Sequence, residues 1–230
     1  MGKREEIREK RQREKRKNLF VATLVIAGAV ILITAIIIYR SQAMIDSIIT
    51  PTAIDFPQTD GMAMGDPDAP VTIVEFSDFQ CSACQFFHTQ TVEQVVDQYV
   101  KTGKVYYTFR NFPFIGKDSQ TAALGGYCAA EQGLFWEYSN IIFTNQIGEN
   151  VQSFSTARLE AMAEIVGLDA EFGNCLREER YLDQVTADFL AGQEAGVDST
   201  PSFLINGELV TGALPFETFQ AYIEQALAGN

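Results

Sequence analysis

Apolar positions fall along this chain in three unlike regimes, and each predicts a different kind of element. Residues 1–18, MGKREEIREKRQREKRKN, hold almost nothing to bury. Residues 19–39, LFVATLVIAGAVILITAIIIY, then run without a single charge. With no polar stripe to mark a solvent face, they do not read as an ordinary core helix. At ~1.5 Å per residue, a helix of this length covers ~30 Å, the hydrocarbon thickness of a bilayer. Residues 40–60 contain Pro51 and Pro57, keep no sustained period and read as a linker. From 61 to 230 the pattern is that of one mixed α/β domain.

Within that domain, Gly65-Asp66-Pro67-Asp68-Ala69-Pro70 is a dense turn signal. Val71–Phe76 follows as a short β-branched run, the pattern of a buried strand. Residues 81–101 carry apolar side chains at helical spacing (Phe87, Val92, Val95, Val96, Tyr99, Val100) up to a stop at Gly103. Val105–Arg110 reads as the next strand, so strand, helix and strand predict a parallel βαβ unit. Residues 118–195 lack proline and are rich in Ala, Glu, Gln and Leu, with helical segments broken near Gly125-Gly126, 145–150 and 167–173. Ser202–Ile205, Asn206-Gly207 and Glu208–Val210 form a hairpin pattern around a two-residue turn, and an amphipathic helix covers about 216–227. The outline is a βαβ half and a ββα half separated by a helical block of about 75 residues.

Charge divides the chain at the same place. Residues 1–40 hold ten Lys/Arg against four Asp/Glu, and the remaining 190 hold seven against 26. An acidic body of that size repels phosphate backbones, which argues against nucleic acid as a partner. Nine Lys/Arg ahead of the apolar run hold residues 1–18 in the cytoplasm by the positive-inside rule, with 19–39 as a transmembrane anchor and the rest outside. The alternative is a cleavable signal peptide, since Ser41-Gln42-Ala43 loosely resembles a small-x-small site. The run exceeds the usual ~7–15 residues of a signal core, which favours a retained anchor. The four cysteines all lie beyond it, where disulfides persist.

Cys81-Ser82-Ala83-Cys84 stands where the first domain strand gives way to a helix. Such a motif near a βαβ pattern is a redox placement. The helix N-terminus stabilises the thiolate of its first cysteine. Half a zinc site or a haem attachment is the competing reading. No second Cys-x-x-Cys exists, Gln85 rather than His follows Cys84, and His88 is the only histidine, so metal ligation is disfavoured.

Val74-Glu75-Phe76-Ser77-Asp78-Phe79-Gln80-Cys81-x-x-Cys84, together with Gly196–Gly207 (GVDSTPSFLING), resembles the membrane-anchored DsbA-like thiol–disulfide oxidoreductases. Tyr127–Trp136 (YCAAEQGLFW) resembles the start of that family's helical insertion. The resemblance implies a thioredoxin fold with the insertion between its two halves. It implies that Cys81 is the attacked sulfur and Cys84 the resolving one. Thr200-Pro201 then corresponds to a cis-proline loop that faces the cysteines and receives substrate backbone. Glu75, six residues before Cys81, corresponds to a buried acid able to accept the proton of Cys84; a half-exposed strand-end carboxylate is the alternative. Ser82-Ala83 lacks the Pro or His often found between these cysteines, which removes one source of thiolate stabilisation. His88 is expected to be structural or exposed, and Phe86, Phe87 and Trp136 to be core or groove residues.

With the active-site pair assigned, Cys128 and Cys175 remain. Of three possible pairings only this one leaves Cys81–Cys84 intact, so a structural bridge is expected, with two separate buried thiols as the alternative. The expected activity is donation of the Cys81–Cys84 disulfide to exported proteins with reduced cysteines. The chain has no cofactor motif. Reoxidation therefore calls for a separate membrane partner of the quinone-linked oxidase type. Dimeric isomerases of this superfamily carry a dimerisation domain before the thioredoxin fold, and the linker is too short for one, which argues against an isomerase; a monomer is expected. A disulfide reductase or isomerase on the same fold, and a non-catalytic binding or holdase module, are the rival functions.

Overall fold

The computed structural model describes residues 2–229; Met1 and Asn230, the outer ends of the expected 1–18 segment and 61–230 domain, lie outside it. The chain divides into two units, one ending at Ser47 and the other beginning at Ile48. The first is a single helix, α1 (Lys3–Asp46). Its segment Arg13–Asp46 is long and apolar enough to cross a membrane by length and composition, and none of its apolar window is covered by protein. The helix thus extends through residues 40–46, which the sequence reading assigned to a linker.

The second unit is built on a sheet of six strands: β1 (Thr59–Asp60), β2 (Ala63–Met64), β3 (Val71–Ser77), β4 (Val105–Asn111), β5 (Ser202–Ile205) and β6 (Glu208–Thr211), in the order β1-β2-β4-β3-β5-β6. β3 is central, parallel to β4 and antiparallel to β5. Between β3 and β4 run α2 (Ser82–Gln90) and α3 (Val92–Val95), the latter continued by a π turn over Val96–Val100. The β5–β6 hairpin turns at Asn206 (φ 47°) and Gly207 (φ 87°), the pair of left-handed residues that a tight two-residue hairpin requires. The expected βαβ and ββα halves are therefore both present.

The helical block between them comprises α4 (Lys117–Glu131), α5 (Phe135–Thr144), α6 (Thr156–Ile165), α7 (Glu171–Arg177) and α8 (Leu182–Glu194), and α9 (Phe216–Ala228) closes the chain. Phe87 of α2, Phe203 of β5 and Phe219 of α9 pack with ring centroids 4.6–5.0 Å apart, so α2 and α9 cover one sheet face. Phe76 and Phe112 point to the other face, where Phe189 of α8 stacks on Phe112 at 4.6 Å. Gly192 lets α8 approach this closely: a Cβ there would lie 2.6 Å from the Phe112 ring.

Residues 48–60 also depart from a linker. Asn145 accepts from the Ile49 N–H at 2.7 Å and donates to the Ile49 carbonyl at 2.7 Å, as a partner strand would. Asn140 donates to the Thr52 carbonyl, and Phe56 packs on Trp136 at 5.8 Å. The segment is a strap tied to α5 and ending in β1. Prolines and the absence of a period conceal it, because its partners lie about 90 residues away.

Cys128 of α4 and Cys175 of α7 are bonded, with Cα atoms 5.9 Å apart and a sequence separation of 47. In the chain-entropy account a loop of that length stabilises by up to about 4 kcal/mol. Replacing both with alanine should lower unfolding free energy by roughly 2–4 kcal/mol, read as a lower urea midpoint, while alkylation of Cys81 proceeds at its normal rate. A midpoint equal to that of the parent protein would show that the bridge contributes nothing.

Candidate active site

Cys81 caps the N-terminus of α2 with extended backbone (φ −70°, ψ 123°). Its Sγ lies 3.4 Å from the Thr200 carbonyl, and the Thr200–Pro201 peptide is cis. The loop after α8 and the start of α2 thus meet at this sulfur. Cys81 is partly exposed, whereas Cys84, one turn along the helix, is buried; both are free thiols.

These positions drive the two thiols apart. The Cys81 pKa is lowered to about 6, chiefly because Cys84 hydrogen-bonds to its sulfur, helped by Thr200 and by the N–H groups of Cys84 and Ala83 at the helix start. Partial burial opposes this without cancelling it. The Cys84 pKa rises well above 9.0, first because burial penalises its charge, then because its proton is held in the hydrogen bond to the Cys81 sulfur and the Cys81 thiolate repels a second charge. Ser77 and Thr200 pull it partly back. Cys81 can therefore be a thiolate at neutral pH while Cys84 keeps its proton.

Glu75 is fully buried in β3, not a half-exposed strand end. Its neighbours in register are Phe109 and Phe203. Both carboxylate oxygens lie within reach of His88 Nε2, at 2.9 and 3.1 Å, and Tyr107 donates to Oε2 at 2.8 Å. Burial and this carboxylate together push the Tyr107 pKa well up. His88 is thus not an exposed residue: it is buried, stacked on Phe143 at 4.0 Å, and paired.

Residues immediately before Cys81 tie three loops together, and sequence reading overlooked them. Asp78 is buried; its carboxylate accepts from the N–H groups of Gln80, Phe114 and Ile115 at 2.8–3.2 Å. The Gln80 side chain donates to Ser119 at 2.8 Å and accepts from the Asn150 N–H at 2.6 Å, while its carbonyl accepts from Gln146. The buried Arg158 donates to the carbonyls of Asn145 and Ser153, which holds the ends of that last loop. Phe86 on α2, Phe114 and, in the 145–153 loop, Ile147 and Val151 are exposed apolar side chains. Phe87 and Trp136 belong to the core.

Among the described residues, no group of His, Cys, Asp or Glu side chains is arranged to hold a metal ion. Residues 58–225 match the family model described as thioredoxin. The chain belongs to the thioredoxin family. This thioredoxin domain is 30% identical over 177 residues to the probable disulfide bond formation protein D of Bacillus cereus, across 75% of this chain and 81% of that one. It is 25% identical over 181 residues to disulfide bond formation protein D of Bacillus subtilis, across 73% and 77%. The crystal structure of oxidised BdbD from Bacillus subtilis superposes with a TM-score of 0.68 at 25% identity, covering 75% of this chain and 96% of that one. Wolbachia pipientis alpha-DsbA1, at 23% identity, a TM-score of 0.66 and coverage of 76% and 94%, shares the fold. The thioredoxin domain is that of a DsbA-like thiol–disulfide oxidoreductase.

The split in acidity has a direct readout. In the reduced thioredoxin domain, iodoacetamide should modify one thiol, at a rate that rises with pH through a midpoint of about 6 and levels off, and peptide mapping should locate it at Cys81. A lowered folded pKa adds stability that is fully present above the unfolded value of 9.0 and lost as pH falls through about 6. The Cys81 contribution to reduced-state stability should therefore grow between those two values. A midpoint near 9, or modification of Cys84 first, would contradict the assignment.

Proposed function

We propose that this oxidoreductase works in the oxidising direction, donating the Cys81–Cys84 disulfide to exported proteins that carry reduced cysteines. The observation that carries the reading is the placement of Cys81, partly exposed at the N-terminus of α2 against the Thr200 carbonyl, where its thiolate is stabilised; the similarity to disulfide bond formation protein D supports the same direction. A stabilised thiolate favours the reduced form, and a disulfide whose reduced form is stabilised is a strong electron acceptor. In the first step a substrate thiolate attacks Cys81 Sγ, a substrate–Cys81 disulfide forms, and Cys84 leaves with the electron pair and takes up a proton. In the second, another substrate thiolate attacks the substrate's own sulfur, and Cys81 departs as its favoured thiolate. Substrate is oxidised by two electrons, and Cys81 and Cys84 hold them.

Thr200 and Pro201 are assigned to holding substrate backbone beside Cys81, a role supported by the 3.4 Å approach of the Thr200 carbonyl. Glu75 is assigned to accepting the Cys84 proton when Cys84 must react, a role supported by its burial on the face of β3 that α2 covers. Cys128–Cys175 is assigned to stability alone, since both cysteines lie in the helical block. The charge-free run 19–39 behind nine Lys/Arg supports an anchor with 1–18 in the cytoplasm and the domain outside. Returning the electrons then calls for a membrane partner of the quinone-linked oxidase type. A monomer suffices for this chemistry.

Oxidised protein mixed with a reduced, unfolded test protein should oxidise it one disulfide per molecule and then stop. Offered a test protein that already carries a disulfide, Cys84→Ser should accumulate mixed disulfides through Cys81, whose thiolate attacks one substrate sulfur and releases the other as a thiol, because internal resolution by Cys84 is lost; Cys81→Ser should accumulate none. Protein that only reduces disulfides under these conditions, or a trapped species joined through Cys84, would overturn the oxidase reading.

A further inference from the structure

One buried hydroxyl beside the cysteines has no role in the chemistry described so far. Ser77 closes β3 and is 1% exposed, yet its Oγ lacks any hydrogen-bond partner of ordinary geometry among the described residues. A hydroxyl left in that state costs about 1–3 kcal/mol of lost hydration, and orphaned groups of this kind are uncommon in protein interiors. Thr200 Oγ1 likewise has no partner of ordinary hydrogen-bond geometry, its influence on the two sulfurs being exerted from outside that geometry. Both hydroxyls act on the Cys84 sulfur and favour its charged form.

The register of the two elements explains why Ser77 is directed there. β3 and β4 are parallel, so α2 between them runs back along β3. Glu75 of β3 meets His88 of α2 at 2.9 Å. Two residues further along a strand return to the same face after ~6.6 Å. Four residues back along a helix return to the same face after ~6 Å. The step from Glu75 to Ser77 is therefore matched by the step from His88 to Cys84. The hydroxyl lies on the rung above the Glu75–His88 pair, opposite the buried sulfur.

The geometry points to Ser77 as a hydroxyl donor to Cys84 Sγ, poised for the thiolate that leaves when a substrate sulfur opens the Cys81–Cys84 disulfide. This rests on the thiol–disulfide exchange described above and extends it to the leaving group. During attack the substrate–Cys81 bond forms, the Cys81–Cys84 bond breaks, and the electron pair collects on Cys84, inside a core that disfavours charge. Ser77 keeps its proton and shares it as a hydrogen bond; the proton lost to solvent by the substrate thiol is matched by the one Cys84 takes up afterwards. An orphaned donor aimed at a site of developing charge is unsatisfied before reaction and satisfied at the transition state, the condition for lowering a barrier.

The test is Ser77→Ala in the full chain, with Ser77→Thr keeping the hydroxyl. Attack of dithiothreitol on the oxidised Ser77→Ala protein should slow about tenfold, the scale of a hydrogen bond to a charged group. The equilibrium with glutathione near neutral pH should move much less, because Cys84 is then a neutral thiol. In a Cys81→Ser background, thiolate absorbance should show Cys84 titrating at still higher pH when Ser77 is alanine. Thermal stability of the oxidised form should hold or rise, since an unpartnered hydroxyl has been removed, and Ser77→Thr should retain most of the rate. An unchanged rate in Ser77→Ala, or equal slowing in both variants with unaltered Cys84 titration, overturns the assignment. Absence of exchange in the parent protein itself would instead defeat the underlying oxidoreductase reading.

Discussion

Desolvation acts on two sulfurs one helical turn apart, and the difference in its strength organises the site. At Cys81 it is weak enough that hydrogen bonds from Cys84, Thr200 and the first N–H groups of α2 prevail, so charge is favoured. At Cys84 it is the leading influence, so charge is suppressed. The contrast requires α2 to begin at the rim of the sheet with its first turn directed inward. That in turn requires β3 to be central and its C-terminal end to open onto the helix. The parallel β3–β4 pairing, the return of α2 along β3, and the approach of Thr200 all serve this one placement.

Holding it is a task for polar groups rather than for the apolar core alone. Phe79 anchors the turn by packing on Phe109 at 5.3 Å and Phe143 at 4.9 Å, but rings fix position better than orientation. Orientation comes from Asp78 and Gln80, which accept from N–H groups of the 112–116 and 145–153 loops. Burying Asp78 raises its pKa by desolvation, partly offset by Ser119 and by the N–H groups of Gln80, Ile115 and Phe114, and the carboxylate is tolerated because each oxygen is engaged. The exposed Phe114, Ile147 and Val151 are carried on the two loops so restrained, which lets apolar side chains face solvent on backbone that does not drift.

What was legible in the sequence is what local physics encodes. Val71–Phe76 and Val105–Arg110 announce strands through β-branched and aromatic runs, Asn206-Gly207 announces its turn through left-handed backbone, and Cys81 announces itself by standing at a strand-to-helix boundary. What was not legible depends on partners distant in the chain. β1 and β2 have two residues each, too few to show a period. The strap at 48–60 looks like a linker until Asn145 is brought to Ile49. His88 looks idle until α2 lies along β3 and brings it to Glu75. Asp78 and Gln80 look like loop residues because their bonds span 36 to 70 positions.

Glu75 shows how closely structure and chemistry are joined in this column. A carboxylate between Phe109 and Phe203 costs several kcal/mol unless it is paired, and His88 and Tyr107 supply the pairing from α2 and β4. Its oxygens offer about four lone-pair positions, and two donors face them: the single Nε2–H of His88, shared between both oxygens, and the Tyr107 hydroxyl. Room remains for a further donor, so the service to Cys84 proposed above is compatible with the pairing. Loss of the Glu75 carboxylate would act by two routes. It would break the pairing that ties α2 to β3 at His88, four positions along the helix from Cys84, and, under the role proposed for Glu75, it would remove an acceptor for the Cys84 proton. The two routes differ in one respect: a loosened helix shifts both sulfurs, whereas a lost acceptor alters only the proton of Cys84 and leaves the Cys81 thiolate where the helix N-terminus holds it.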